Sequence, residues 1–186
     1  YNNIKRRYEM LMIREIPYVF TKKTRKQYIS EGRGSRQDEK YQKQYIKTYA
    51  SVELGKNTGF RVNTDTGEIC KVHAPLKQER FHVWTEDFDG GATIEDSFWF
   101  FNLKMIPEAG GAQNRSIREL AHHLDACVLN KKSYNNNYKF AFIIDGEEIL
   151  KFKERLLGFI PAELEDDFFV GSCREYVDYI FNREKE

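Results

Sequence analysis

At 186 residues the chain is long enough for one domain with a sizeable core. It is polar, with 32% charged and 15% aromatic residues, and no apolar run approaches the roughly 20 residues that a membrane helix needs, which excludes a helical membrane span. The net charge of +1 conceals an asymmetry: residues 1–60 carry fourteen Lys/Arg against six Asp/Glu, and residues 61–186 carry sixteen against twenty-three.

A basic front half with interleaved tyrosines suits a polyanion such as nucleic acid as well as it suits a solvated face. Residues 4–20 mix basic and apolar positions and break at Pro17, as a helix or an arm would. Residues 21–28 and 30–40 read as loop. Gly32 and Gly34 flank Arg33, with Arg36 beyond, so this cationic segment either closes on DNA phosphates or is a plain connector. Tyr41, Tyr45, Tyr49 and Val52 recur at spacings of four and three and predict a helix over 37–53.

Residues 59–73 predict a hairpin turning at Asp65-Thr66-Gly67. RFHVWT (80–85) predicts a strand, EDFDGG (86–91) an acidic turn, and ATIE with SFWFFNLKMI a second hairpin turning at Asp96-Ser97. Past the break at Gly110-Gly111, Ser116 and Glu119 match a capping box. They predict a helix with Ile117, Leu120, Ala121, Leu124 and Val128 as its buried stripe. After a polar loop, YKFAFIIDG (138–146) is nearly continuous in apolar character, as in a strand covered on both faces. Residues 147–157 and 172–183 read as helices, with the acidic loop ELEDD between them. Helix, three strands, helix, strand, then helices predicts an α/β protein with a mixed sheet flanked by helices. Residues 1–78 form a basic N-terminal region and 79–186 the core, in one compact domain.

Side chains on a strand alternate faces, so Asn102 and Lys104 point one way and Leu103 the other. An antiparallel return brings their end of the strand back to Asp89, and the three cluster at one edge of the sheet. This arrangement resembles the PD-(D/E)xK nuclease core of type II restriction endonucleases. GGAQNRSIREL and the IIDG at 143–146 add to the resemblance, which covers roughly residues 80–150. It implies a restriction-endonuclease-like fold with a basic N-terminal extension, working as a homodimer on double-stranded DNA with Mg²⁺, or Mn²⁺, as cofactor. Asp89 would be the main metal ligand, with Asn102 and a main-chain carbonyl near Leu103. Lys104 would orient the attacking water and stabilise negative charge on the phosphate.

Asn102 departs from the family pattern, which has an acid there, and the lost charge should weaken metal binding. Either the amide suffices, or Glu86, Asp87, Glu95 or Glu108 substitutes, or the chain is a catalytically weak or inactive DNA-binding module on the same fold. Near the double glycine, a helix N-terminus offers free N–H groups to phosphate. Gln113, Asn114 and Arg115 would meet the DNA there, and Arg118 a phosphate or an internal acid, with Arg33 and Arg36 adding contacts from the basic region. Each element has a plainer reading: Asp89-Gly90 as a turn, Lys104 as an edge charge, the arginines as solvated helix positions.

Three scattered cysteines, Cys70, Cys127 and Cys173, do not make a disulfide framework, so a reducing, cytoplasmic setting is expected. Cys70-x-x-His73 with His123-x-x-x-Cys127 would give a zinc site, but a helical Cys is more often simply buried. There is no signal-peptide pattern and no initiator Met, as expected either of a trimmed chain or of a fragment of a longer one.

Overall fold

The computed structural model describes residues 35–56, 58–72, 83–107 and 109–183. Helix α1 (Ser35–Ala50) ends where Ser51 turns into the left-handed region at φ 57°. It is shifted towards the N-terminus of the predicted 37–53; Val52 lies beyond it yet still packs on the same core. Strands β1 (Phe60–Val62) and β2 (Ile69–Lys71) form a separate antiparallel pair. Their turn is the expected one: Asn63 Oδ1 accepts from the amides of Asp65 and Thr66, and Gly67 takes φ 74°.

Residues 83–88 run beside β1. Trp84 bridges to Asn63, and the amides of Thr85 and Phe88 donate to the Val62 and Phe60 carbonyls. Among the described residues the predicted strand over 80–85 is reduced to that one bridge. Arg61 Nη1 occupies the Thr85 carbonyl at 2.7 Å, an acceptor that a regular ladder would otherwise use.

The main sheet has four strands in the order β3-β4-β5-β6. Strand β3 (Gly90–Ile94) pairs antiparallel with β4 (Ser97–Met105). Their turn is Glu95-Asp96, one residue before the predicted one, with Glu95 at φ 54°. Helix α2 (Gly111–Ser133) carries the chain to β5 (Tyr138–Asp145), parallel to β4. Two short helices, α3 (Glu147–Leu150) and α4 (Lys153–Leu157), replace the single predicted helix. A 3₁₀ segment (Ala162–Asp167) leads to β6 (Phe168–Gly171), parallel to β5, and α5 (Cys173–Arg183) follows. Strand β6 is absent from the sequence reading because four residues are too few to show alternation.

The Ser116–Glu119 capping box does not start α2. The helix begins five residues earlier, at Gly111, and Glu119 pairs instead with Arg115 at 2.7 Å, one turn back. The i,i+4 ion pair takes the carboxylate that would have capped the end.

Alternation along β4 and β5 divides the core. Phe100, Phe140, Phe142 and Ile144 pack with Leu120 and Leu124 of α2. Trp99, Phe101, Leu103, Ala141 and Ile143 pack on the other face with Tyr45 and Ile46 of α1 and Tyr176 and Ile180 of α5. The central strands are buried on both sides, as the near-continuous apolar run of β5 predicts. The protein is thus α/β, a mixed four-stranded sheet between helical layers.

Candidate functional site

The C-terminal end of β4, the first half of α1, residues 83–89 and one face of α2 enclose a cleft of about 980 Å³. Its walls hold the carboxylates of Asp38, Glu39, Glu86, Asp87, Asp89 and Glu119 against the cations Arg61, Lys104 and Arg115.

Asp89 immediately precedes β3. Its amide donates to the Phe101 carbonyl at 2.9 Å, and its Oδ2 accepts from the Leu103 amide at 2.7 Å. Lys43 Nζ donates to the Asp89 carbonyl, which pins the turn to α1. Burial pushes the Asp89 carboxyl up to about 7. The Leu103 N–H, Lys104 and Lys43 pull it down, and the charge of Glu39 pushes it further up. Lys104 Nζ lies 3.0 Å from Glu86 Oε2. Burial disfavours its charge, but the charge and hydrogen bond of Glu86 outweigh that and hold its pKa above the usual lysine value.

Asn102 shares a strand face with Lys104 but is 2% exposed and absent from the cleft wall. Its Nδ2 lies 3.0 Å from Nδ1 of His123, and its Oδ1 has no partner. His123 is itself buried, against Phe88 and Phe142, and forms part of the cleft wall. Burial, with the charges of Lys104 and Arg61, pushes its pKa down to about 3, so the ring is neutral. The structure thus brings Asp89 and Lys104 to one cleft and gives Asn102 a different task, holding His123.

Arg115 lines the cleft, paired to Glu119. Asn114 and Arg118 face elsewhere, onto a largely apolar pocket of about 280 Å³ shared with Phe152 and Phe159. Gln113 falls in the first turn of α2 and Arg36 in the first turn of α1. Arg33, His73 and Glu108 lie outside the described residues. Of the proposed substitute carboxylates, Glu86 and Asp87 line the cleft, the latter 3.3 Å from Arg61. Glu95 sits at the far end of β3, paired with Arg183 at 3.3 Å.

Sequence reasoning missed Asp38, Glu39, Gln42, Glu119 and His123 as cleft residues. The α2 pair had a signal, since 119 and 123 are one helical turn apart. The α1 residues had none, because nothing local says which strand α1 will cross. Gln42 is fully buried; its Nε2 donates to Asp145 Oδ2 at 2.8 Å and to the Lys104 carbonyl at 3.2 Å, while its Oε1 has no partner. Among the described residues, no three His, Cys, Asp or Glu side chains are grouped to hold a metal ion, and no helix is long and apolar enough to cross a membrane. Cys127 is fully buried, its thiol pKa raised by that burial. The cleft walls bring the carboxylate oxygens of Asp89 and Glu39 together with the buried, unpartnered Oε1 of Gln42, a donor set that fits a hard divalent cation.

Compared with protein-family models, curated proteins and solved structures, the chain matches none.

Asp89 and His123 pull stability in opposite directions with pH. Asp89 binds its proton more tightly in the folded state than at its ordinary value of 3.8, so its contribution is full at low pH and is lost as pH rises through about 7. His123 lies below its ordinary 6.5, so its contribution is lost as pH falls from 6.5 towards about 3. Asp89→Asn removes the first effect alone. In metal-free buffer its Tm, relative to wild type, is expected to rise steadily from pH 4 to pH 7.5. A difference that stays constant across that range would show that Asp89 is not held protonated by its surroundings.

Proposed function

We propose that this chain is a Mg²⁺-dependent, sequence-specific DNA endonuclease with a restriction-endonuclease-like core. The observation that carries the reading is the Asp89 carboxyl hydrogen-bonded to the main chain of Leu103, with the Lys104 side chain emerging next on β4 into the same cleft. Bound Mg²⁺ would neutralise charge on the phosphate and make its bound water more acidic.

Asp89 would hold that ion through its carboxylate. Lys104, kept protonated by Glu86, would orient the attacking water and stabilise charge on the phosphate oxygens. Six carboxylates against three cations make the cleft repel a phosphate by itself. A bound cation reverses that local balance, and the basic N-terminal region supplies attraction over a longer range. Cutting both strands with one site per chain favours a homodimer.

A second reading is a DNA-binding module without catalysis on the same fold. The observation favouring it is the neutral Asn102, turned to His123 where the family pattern has an acid. The deciding assay incubates mixed-sequence plasmid and viral DNA with the protein in Mg²⁺, Mn²⁺ or EDTA. Discrete fragments in either metal, none in EDTA and none with Asp89→Asn are the expected result. Intact DNA in every lane, with retention of DNA in a gel-shift assay, would establish the binding module instead.

A further inference from the structure

We propose that Glu39, from α1, supplies the second carboxylate that position 102 lacks, so that a divalent cation is held between Asp89 and Glu39. The inference rests on reading the cleft as a metal-dependent site, and it changes where the ligands come from: one from the turn before β3, one from a helix on the opposite side of the sheet from α2.

The packing of α1 places Glu39 there. Gln42 and Lys43, three and four residues further along, are both tied to the site: Gln42 Nε2 to the Lys104 carbonyl and Lys43 Nζ to the Asp89 carbonyl. On a helix, residues three and four apart share a face, so Glu39 lies on the face that meets the site. It lines the same cleft as Asp89, and its charge is felt at the Asp89 carboxyl. Two carboxylates facing one cleft repel each other, and a cation between them turns that repulsion into binding. Asn102, 2% exposed and committed to His123, is not placed to help.

A separate observation points to a ligand. Gln42 is fully buried and also lines the cleft, yet its Oε1 has no donor. The amide cannot simply turn over. Its Nε2 faces the Lys104 and Ile143 carbonyls and a carboxylate oxygen of Asp145, and a flip would set oxygen against oxygen. A hard, buried acceptor in the same cleft as two carboxylates suits a cation or a water of its hydration shell. Mg²⁺ commonly takes only one or two carboxylates and keeps several waters, so the absence of a third acidic ligand is no obstacle.

The test is Mn²⁺ binding to the DNA-free protein, by calorimetry and by the loss of the free-ion electron paramagnetic resonance signal. Wild type, Glu39→Gln, Asp89→Asn and Glu119→Gln are compared, each checked by circular dichroism for a native far-ultraviolet spectrum and a cooperative melt. Wild type is expected to bind one ion in the cleft. Glu39→Gln is expected to bind it about tenfold or more weakly, Asp89→Asn likewise, and Glu119→Gln, whose carboxylate belongs to Arg115, within about twofold of wild type. Wild-type affinity in Glu39→Gln overturns the proposal, as does a loss confined to Glu119→Gln, or no binding by wild type. The readout needs no cleavage. Loss of binding in Glu39→Gln alongside a wild type that cuts no DNA keeps the cation site and removes the endonuclease. Cleavage by wild type with unaltered binding in Glu39→Gln removes Glu39 and keeps the endonuclease.

Discussion

Lys104→Ala is expected to lower single-turnover DNA cleavage by about 100- to 1,000-fold, the scale seen when one preorganised donor to a developing anion is removed. The loss should appear in the chemical step. The ammonium group stands at the end of β4, 3.0 Å from Glu86 and in the same cleft as Asp89. Its removal should barely disturb folding, because the side chain belongs to neither apolar core and the partner Glu86 is 59% exposed and rehydrates. Exposed ion pairs of this kind contribute about 0–1 kcal/mol. The measurement is the cleavage rate with enzyme in excess, beside a thermal melt and DNA affinity in EDTA. A rate within tenfold of wild type, with the melt unchanged, would remove Lys104 from the chemistry.

Gly146→Ala is expected to destabilise the protein by about 3 kcal/mol or more, through backbone strain and a direct clash. Gly146 sits at φ 115° and ψ 145°, a region that residues with a Cβ rarely adopt. An added Cβ would lie 2.4 Å from the carbonyl carbon and oxygen of Ile106 and 2.7 Å from the nitrogen of Pro107. Those are backbone atoms, and they are tied down: the Ile106 amide donates to the Asp145 carbonyl at 2.8 Å, and the Glu148 amide to the Ile106 carbonyl at 3.1 Å. Relief requires the exits of β4 and β5 to separate, which is where Lys104 and Asp145 are held. For a chain of this size the Tm should fall by about 6–12 °C. Gly111→Ala is the control, since a Cβ there meets nothing and the residue is already helical. Equal melts for the two variants would show that the Gly146 conformation is not required.

Much of the fold was legible because the relevant signals are short-range. The Tyr41, Tyr45, Tyr49 spacing is a helix signal, the Asp65-Thr66-Gly67 turn is satisfied by Asn63 next door, and the run from Tyr138 to Asp145 is apolar on both faces. Where the reading slipped, a contact from elsewhere had won. Arg115 took the carboxylate that the Ser116–Glu119 capping pattern reserved for the helix start, and β6 exists only because β5 offers it an edge.

The candidate site divides in the same way. Strand alternation and an antiparallel return fix that Lys104 and the Asp89 turn lie together at the end of β4, and both are local consequences of residues 89–105. The sequence by itself therefore determined the α/β class, the hairpin and half of the cleft. Only the tertiary structure decided that α1 crosses that strand end, bringing Glu39 and Gln42 to Asp89, and that α2 turns His123 onto Asn102. Periodicity says which face of a helix is apolar, but the strand it crosses is set by the packing of the whole core, and no local pattern encodes that choice.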